Sequence, residues 1–405
     1  MTGAARGSRE SDLGAPRGLL LAVTTALAFE ASLYSVVAPL LPYYRDELHL
    51  GTSGAGLLTA MYPAGMLAGS VLGGAVSAKR GPRTTAFAGF GLLAVASVAF
   101  GLAGSVVVLD VSRAAQGLGA GMIWAGMLSW LLLVTPEHKR GQAIGAALGS
   151  AIFGTVLGPM LGTAANALTP PVAFSAIALG ALAMAWRTSR LPAPPAGSAV
   201  EQGGVGRALR SRRLAAVFTL NLLPGLVTAT VATLIPLRLD DRGVSELTIG
   251  VVFLLAAVLG GIASPLSGRA SDRRGRRPVA LAGLGLVAAT MFALAGASAP
   301  VVLGVVTVLA IGAAVVVFSI PALAALSSAA EDVGMTAGAT AALINISFAG
   351  AEAVGAPISA VAADHVAAGL PFAAIGVAAV LLAAVLAAFP HTRPLAPVVQ
   401  TERIP

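Results

Sequence analysis

Residues 145–163 read GAALGSAIFGTVLGPMLGT, an apolar run punctuated by Gly145, Gly149, Gly154, Gly158 and Gly162, with a Gly-Pro step at Gly158 and Pro159. In water each interior glycine costs a helix about 1 kcal/mol relative to alanine, so an aqueous helix is the wrong reading. A backbone in hydrocarbon must satisfy its own hydrogen bonds, which forces a helix, and small residues on one face then let a neighbouring backbone come close. The stretch therefore predicts a transmembrane packing helix that bends at Pro159.

The rest of the chain has the composition such a helix needs around it. Of 405 residues, 57% are hydrophobic and only 10% are charged, and the mean hydropathy is +0.89. The apolar runs are too many and too long for a soluble core, so the chain reads as a polytopic membrane protein. With no cysteine there are no disulfides, thiol nucleophiles or cysteine-ligated metal centres, and the four histidines show no metal-ligand spacing. A net charge of +8 would suggest nucleic acid as partner of a soluble protein. Here the basic residues sit between apolar spans, so the charge describes topology instead.

About twenty apolar residues cross a bilayer, and twelve runs meet that length: 18–40, 54–77, 84–103, 106–134, 141–165 and 171–187, then 214–237, 246–268, 278–298, 301–329, 335–362 and 369–389. The first follows a polar tail, residues 1–17, that carries Arg6, Arg9 and Arg17. Its apolar part is too long for a signal peptide and lacks a cleavage-like end. With both termini on one side, the loops there hold Lys79, Arg80, Arg83, Lys139, Arg140, Arg187, Arg190, Arg207, Arg210, Arg212, Arg213, Arg269, Arg273, Arg274, Arg276 and Arg277. The other side has only Arg45, Arg238 and Arg242, among Asp46, Glu47, Asp240, Asp241, Glu246 and Asp364. The positive-inside rule places both termini in the cytoplasm.

Residues 191–213 are rich in Pro, Gly and Arg without an apolar period, and read as a cytoplasmic linker between two six-helix units, 18–190 and 214–390, with a tail at 391–405. The two units look like repeats. GAVSAKRGPR (residues 74–83) and GRASDRRGRR (268–277) match in their glycines and basic clusters at an offset of 194 (268 minus 74). Gly158 and Pro159 have a weaker echo in Ala356 and Pro357. Duplicated bundles of this kind commonly enclose a transported substrate near the membrane midplane.

Three motifs carry a family resemblance. Residues 268–277 match G-x-x-x-D-R-x-G-R-R, the loop between paired helices in the major facilitator superfamily. LDVSRAAQGLG (109–119) resembles that superfamily's fourth-helix motif through Arg113, Gln116, Gly117 and Gly119. The opening stretch resembles the fifth-helix signature of its twelve-helix drug/proton antiporters, with Gly145, Gly154, Gly158, Pro159 and Gly162 in place and Thr163 where another glycine is frequent. The resemblance implies an all-α membrane protein of twelve transmembrane helices in two pseudo-symmetric six-helix bundles, with the fifth helix near the seam between them. It also assigns Gly268, Asp272, Arg273, Gly275 and Arg276 to a conformational gate. In the first unit Ala78 replaces the motif's aspartate and Pro82 a basic residue. Topology alone accounts for Lys79, Arg80 and Arg83.

Charges inside spans cost at least about 2.5 kcal/mol near the centre and are functional by default. Glu30 lies about 18 Å along the first span from Gly18 at 1.5 Å per residue, near the midplane, where a carboxyl group can bind and release a proton or bind substrate. Asp110 and Arg113 share a face of the fourth span near its outer end. Arg113, implicated by the resemblance in proton handling, either pairs with Asp110 or tunes an acid such as Glu30. Glu352, in the outer part of the eleventh span, is a candidate second cation or proton site. Tyr34, Tyr62, Trp124, Met127, Asn166, Asn221 and Asn345 are polar or polarizable groups within spans that suit a cavity for an amphipathic ligand. GLGAG (117–121) has no preceding strand and is no dinucleotide loop; the sequon at Asn345 is buried in a span.

These features lead to the expectation of a bacterial proton-coupled antiporter exporting a small amphipathic or cationic compound, a drug or natural product, by alternating access. It would work as a monomer in the cytoplasmic (inner) membrane, with protons, substrate and lipid as partners and the proton gradient in place of a cofactor. The alternatives are an uptake symporter or a sugar or metabolite exporter of the same fold, and, from another class, a non-transporting membrane sensor or an intramembrane enzyme. The last lacks any nucleophile–base set in the sequence.

Overall fold

A backbone in hydrocarbon has no water to bond, so each apolar run closes its own hydrogen bonds as a helix. The computed structural model describes residues 17–136, 140–192, 211–296, 301–335 and 337–388, and among them there are helices and no strand. The first unit comprises α1 (Arg17–Tyr34), a 3-10 turn (Ala38–Leu40), α2 (Leu41–Leu48), α3 (Thr52–Arg80), α4 (Pro82–Gly101), α5 (Val106–Val134), α6 (Arg140–Leu168) and α7 (Pro170–Arg190). The second comprises α8 (Arg212–Leu220), α9 (Leu222–Asp240), α10 (Glu246–Arg274), α11 (Arg276–Ala295), α12 (Val301–Asp332), α13 (Ala337–His365) and α14 (Leu370–Ala388). Eleven helical units among the described residues are long and apolar enough to cross a membrane, and α6 contributes the shorter apolar segment Gly149–Ala165.

Each unit has its own buried core. One gathers Phe90, Phe100, Trp130 and Phe174, the other Leu284, Met291, Phe318 and Phe372. The perimeter is as apolar as the interior: Val71 is 72% exposed and Val95 70%, which is stable only where lipid covers them.

Two spans differ from their sequence reading. The first is not one helix over 18–40: it breaks after Tyr34 and runs on to Leu48. Pro39 and Pro42 have no N–H to return to the carbonyls four residues back, so the ladder loses two bonds within four residues and the helix breaks there. The seventh breaks at Asn221, three residues before Pro224, for the same reason.

The repeat is written into the backbone. Both α3 and α10 have 29 residues, both α4 and α11 have 20, and α10 begins 194 residues after α3 (246 minus 52). A single residue turns each pair: Gly81 (φ 87°, ψ 156°) and Gly275 (φ 87°, ψ 155°). A side chain at that positive φ would be strained, which explains why the second glycine recurs in both motifs.

The arginine two residues after each turn does more than set topology. Arg83 donates to Ser189 O at the end of α7. Arg277 donates to Leu386 O (3.0 Å) and Ala387 O (2.6 Å) at the end of α14. Terminal carbonyls have no partner in their own helix, and each arginine supplies one to the last helix of its unit. Arg277→Ala should destabilise the α14 terminus by about 1 kcal/mol, seen as faster hydrogen exchange confined to residues around Leu386. Unchanged exchange there would remove the capping role.

Candidate functional site

The site is built on the broken end of α1. Where α1 stops at Tyr34, its last carbonyls lack helical partners, and Arg113 of α5 meets them. Its NH1 donates to Leu33 O (3.1 Å) and to Gln116 Oε1 (3.0 Å), and its NH2 to Tyr34 O (2.9 Å). Gln116 is itself held through Nε2 to Ser97 Oγ (3.2 Å). The guanidinium carbon lies 4.2 Å from the Tyr62 ring centroid, and Arg113 is 1% exposed. A cation at a helix C-terminus complements the helix dipole, and burial is tolerable because the carbonyls and the ring replace water.

Asp110 is not among the partners of Arg113. It is half-buried, and its Oδ1 has no hydrogen-bond partner. Of the two alternatives for Arg113, the pair with Asp110 is not formed: two backbone carbonyls draw the guanidinium inward toward α1, away from its neighbour on α5.

Glu30 lies on the buried face of α1, 2% exposed. Tyr62 Oη donates to its Oε1 at 2.9 Å and Trp124 Nε1 to its Oε2 at 2.5 Å. Neither donor is charged. The ionised carboxyl therefore has no counter-charge among its hydrogen-bond partners.

Glu352 of α13, 3% exposed, accepts a hydrogen bond from Tyr34 Oη across the two units. The Tyr34 and Tyr62 rings meet edge to face with centroids 6.0 Å apart. Trp124, Glu30, Tyr62, Tyr34 and Glu352 therefore form one continuous row, with an acid from each unit at either end of a tyrosine pair and Arg113 beneath Tyr62.

Of the other sequence candidates, Met127 is wholly buried in the same core as Trp124. Asn345 is half-buried on α13, seven residues before Glu352. Asn221 is no cavity residue: its Nδ2 donates to Val217 O (2.9 Å) and Ala322 O (3.0 Å), tying the α8–α9 break to α12. The Asn166 side chain and the surroundings of Gly145 lie outside the described residues.

The glycine face of α6 packs on α1 itself. A Cβ at Gly154 would lie 2.7 Å from Ala28 C, one at Gly158 2.5 Å from Ser32 O, and one at Gly162 3.2 Å from Pro39 Cγ. Pro159 leaves Thr155 O without its helical donor, and Ser35 Oγ donates to that carbonyl at 3.0 Å. The glycines thus meet the helix carrying Glu30 within their own unit, and only the Thr163 side of α6 faces the other unit, at Gly250 of α10. In α5, Gly117 and Gly121 similarly receive the α3 backbone at Tyr62 and Met66, the packing role that GLGAG serves.

The expected gate is not engaged in this conformation. Asp272 and Arg273 are exposed, and among the described residues Asp272 has no hydrogen-bond or ion-pair partner. Arg276 bonds within its own unit, NH1 to Ser328 Oγ at 3.0 Å. Besides the Tyr34–Glu352 bond, polar bridges between the units among the described residues lie on the side away from the basic turns. Arg45 of α2 pairs with Asp240 and, at 2.7 Å, with Asp241 of α9. Asp364 of α13 accepts from Ser53 N (2.9 Å) and Oγ (2.6 Å) at the start of α3. Ala60, Ala229 and Ala356 close an apolar cluster below them. The two units are thus joined on the side away from the basic turns.

The sequence profile of the Major Facilitator Superfamily matches residues 23–351 and 217–404. An uncharacterised MFS-type transporter of Mycobacterium tuberculosis is 30% identical over 112 residues, 28% of this chain and 19% of that protein. The quinolone resistance protein NorA of Staphylococcus aureus is 31% identical over 110 residues, 27% of this chain and 28% of that protein. The matched segments thus span less than a third of either relative. Among solved structures, the xylose transporter XylE of E. coli in a partially occluded inward-open conformation superposes with a TM-score of 0.71 at 16% identity, covering 92% of this chain and 99% of that one. A bacterial homologue of the lysosomal transporter Spinster, inward-facing, gives 0.71 at 16% identity, covering 91% and 95%. The profile over most of the length shows that the chain belongs to the major facilitator superfamily, and the fold it shares with these structures is that of a multi-pass membrane transporter.

Proposed function

We propose that this transporter exports an amphipathic organic cation in exchange for protons, with Glu30 as the group that cation and proton share. The observation that carries the reading is the Glu30 carboxyl, held between the neutral donors Tyr62 and Trp124 in a row that ends on Glu352 of the other unit. The row holds two acids, and its one neighbouring cation, Arg113, is spent on backbone carbonyls. Aromatic faces and buried carboxylates together recognise organic cations. A sugar needs free amide and hydroxyl groups, yet Asn221 and Gln116 are committed elsewhere. The resistance named for the NorA relative fits export, and the antiporter-like α6 fits exchange.

With the basic turns cytoplasmic, residues 18–190 and 214–390 are the two rocking bundles, residues 191–213 join them, and the side on which the units are bridged is the outer one. Ionised Glu30 takes the cation from the cytoplasm; after the bundles rock, a proton from outside neutralises Glu30 and the cation leaves.

Reconstituted into proteoliposomes with an acidic lumen, the protein should accumulate lipophilic cations such as tetraphenylphosphonium or ethidium against their gradient. Accumulation only when the external side is acidic would instead show proton-coupled uptake. Flux of neutral sugars without flux of either cation would overturn the cation reading.

A further inference from the structure

The two acids of the row are half-sites of the same make on opposite bundles. Glu30, of the first unit, lies against Trp124 and Tyr62, whose Nε1 and Oη donate to its two oxygens at 2.5 and 2.9 Å. Glu352, of the second, lies against Tyr34, whose Oη donates to its Oε1. Each carboxyl thus has an aromatic side chain beside it, the combination that recognises an alkylammonium head. Between the two, the Tyr34 and Tyr62 rings meet with centroids 6.0 Å apart and planes at 63°, an aromatic bridge from one bundle to the other.

The charges of the row do not match a substrate with a single positive head. Both acids are buried, and neither accepts a hydrogen bond from a cationic side chain among the described residues. Arg113 rests on the Tyr62 ring, 4.2 Å from its centroid, and directs its donors to Leu33 O and Tyr34 O. One cationic head answers Glu30 and leaves Glu352 to a proton. Two heads answer both acids, and a buried carboxylate left without a counter-charge is costly.

We propose that the preferred substrate is a two-headed organic cation, two quaternary or protonated amines joined by an apolar spacer, with one head at Glu30 and Trp124, the other at Glu352, and the spacer along Tyr34 and Tyr62. The inference rests on the cation-export reading and extends it from one acid to both. In this conformation the Tyr34–Glu352 bond occupies the second half-site, and the second head replaces it. Loading from the cytoplasm releases one proton from each acid, and unloading outside returns one to each. Two positive charges leave as two protons enter, so no net charge crosses. A single-headed cation exchanges for one proton, with Glu352 keeping its own. Because the heads sit on different bundles, the spacer must fit the row: a short one leaves an acid unanswered, and a long one buckles against the tyrosine pair. Selectivity for length follows from that difference.

The test uses the full chain in proteoliposomes with an acidic lumen, and radiolabelled bis(trimethylammonium)alkanes of increasing spacer length beside alkyltrimethylammonium ions of the same lengths. Accumulation of the two-headed ions should pass through a maximum at one spacer length, about tenfold above the matching single-headed ion. Glu352→Gln, which keeps a carbonyl oxygen for Tyr34 Oη, should collapse that ratio to about one. Glu352→Asp keeps the charge but withdraws it by one methylene, and should move the maximum to a longer spacer, a shift that a merely structural role would not produce. Folded protein is quantified by size-exclusion of a fluorescent fusion, and the aspartate variant decides where the glutamine variant fails to insert. A flat series in the parent, or a maximum that neither folded variant alters, would overturn the proposal. If the spacer rule holds but the ions accumulate only when the external side is acidic, the two-headed substrate stands and the export reading falls.

Discussion

Glu30→Gln is expected to abolish proton-driven export while leaving a folded protein in the membrane. Glutamine matches glutamate in shape and keeps a carbonyl oxygen for Trp124 Nε1 or Tyr62 Oη, the two donors that now hold the carboxyl. The loss of one neutral hydrogen bond costs about 1 kcal/mol, well within the stability of a domain. What glutamine cannot do is carry a negative charge or exchange a proton. A cation loses its counter-charge in a poorly solvated site, and since each 1.4 kcal/mol is tenfold, export should fall by at least about tenfold. The measurement is cation flux driven by a pH gradient, beside substrate-for-substrate exchange at equal pH. Undiminished gradient-driven flux would falsify the assignment of Glu30.

Gly158→Val should impair transport far more than membrane insertion. A valine Cβ would sit 2.5 Å from Ser32 O and 2.9 Å from Ser35 Cβ. The Ser32 carbonyl is backbone and cannot rotate aside, so α1 must shift as a whole, taking Glu30 two residues away with it. Overpacking of this kind costs about 1–3 kcal/mol, too little to stop a twelve-span protein from inserting. It is enough to part Glu30 from Tyr62 and Trp124 on the facing helices. Ser35→Ala in the same chain should not rescue transport, because the Ser32 carbonyl remains. Transport per folded molecule, from flux divided by protein recovered after size-exclusion, should drop about tenfold or more. Equal loss of recovery and flux would reduce the stretch at 145–163 to plain packing.

What could be read from residues alone was what depends on residue type and spacing. The glycine run declared a lipid-bound packing helix because each interior glycine would destabilise an aqueous helix, and Glu30 stood out as a candidate because an acid in an apolar run is costly. The row from Glu30 to Glu352 could not be read this way, since Tyr34 and Glu352 lie 318 residues apart and nothing in either span names its partner. The partners of Arg113 were legible only in part: Asp110 and Glu30 were both in view as charges, but its acceptors include the backbone carbonyls of Leu33 and Tyr34, groups that every residue has and no letter marks. Arg45, Asp240, Asp241 and Asp364 counted as topology charges, and only their placement at the seam shows them to be bridges. Asn221 drew attention as a polar residue in a span, although the break beside Pro224 gave a reason for it to serve the backbone.

The dependence of α1 on Arg113 also has a consequence for how the chain is made. The carbonyls at the broken end of α1 wait for a guanidinium that lies 79 residues further on at Tyr34. At roughly 5–20 residues per second of synthesis, α1 spends several seconds in or beside the insertion machinery before α5 emerges to complete it. Over that interval its unbonded backbone and Glu30 resist release into lipid. The span carrying Glu30 therefore settles late in the assembly of its bundle, and a ribosome stalled before residue 113 would leave α1 held at the translocation channel instead of free in the bilayer.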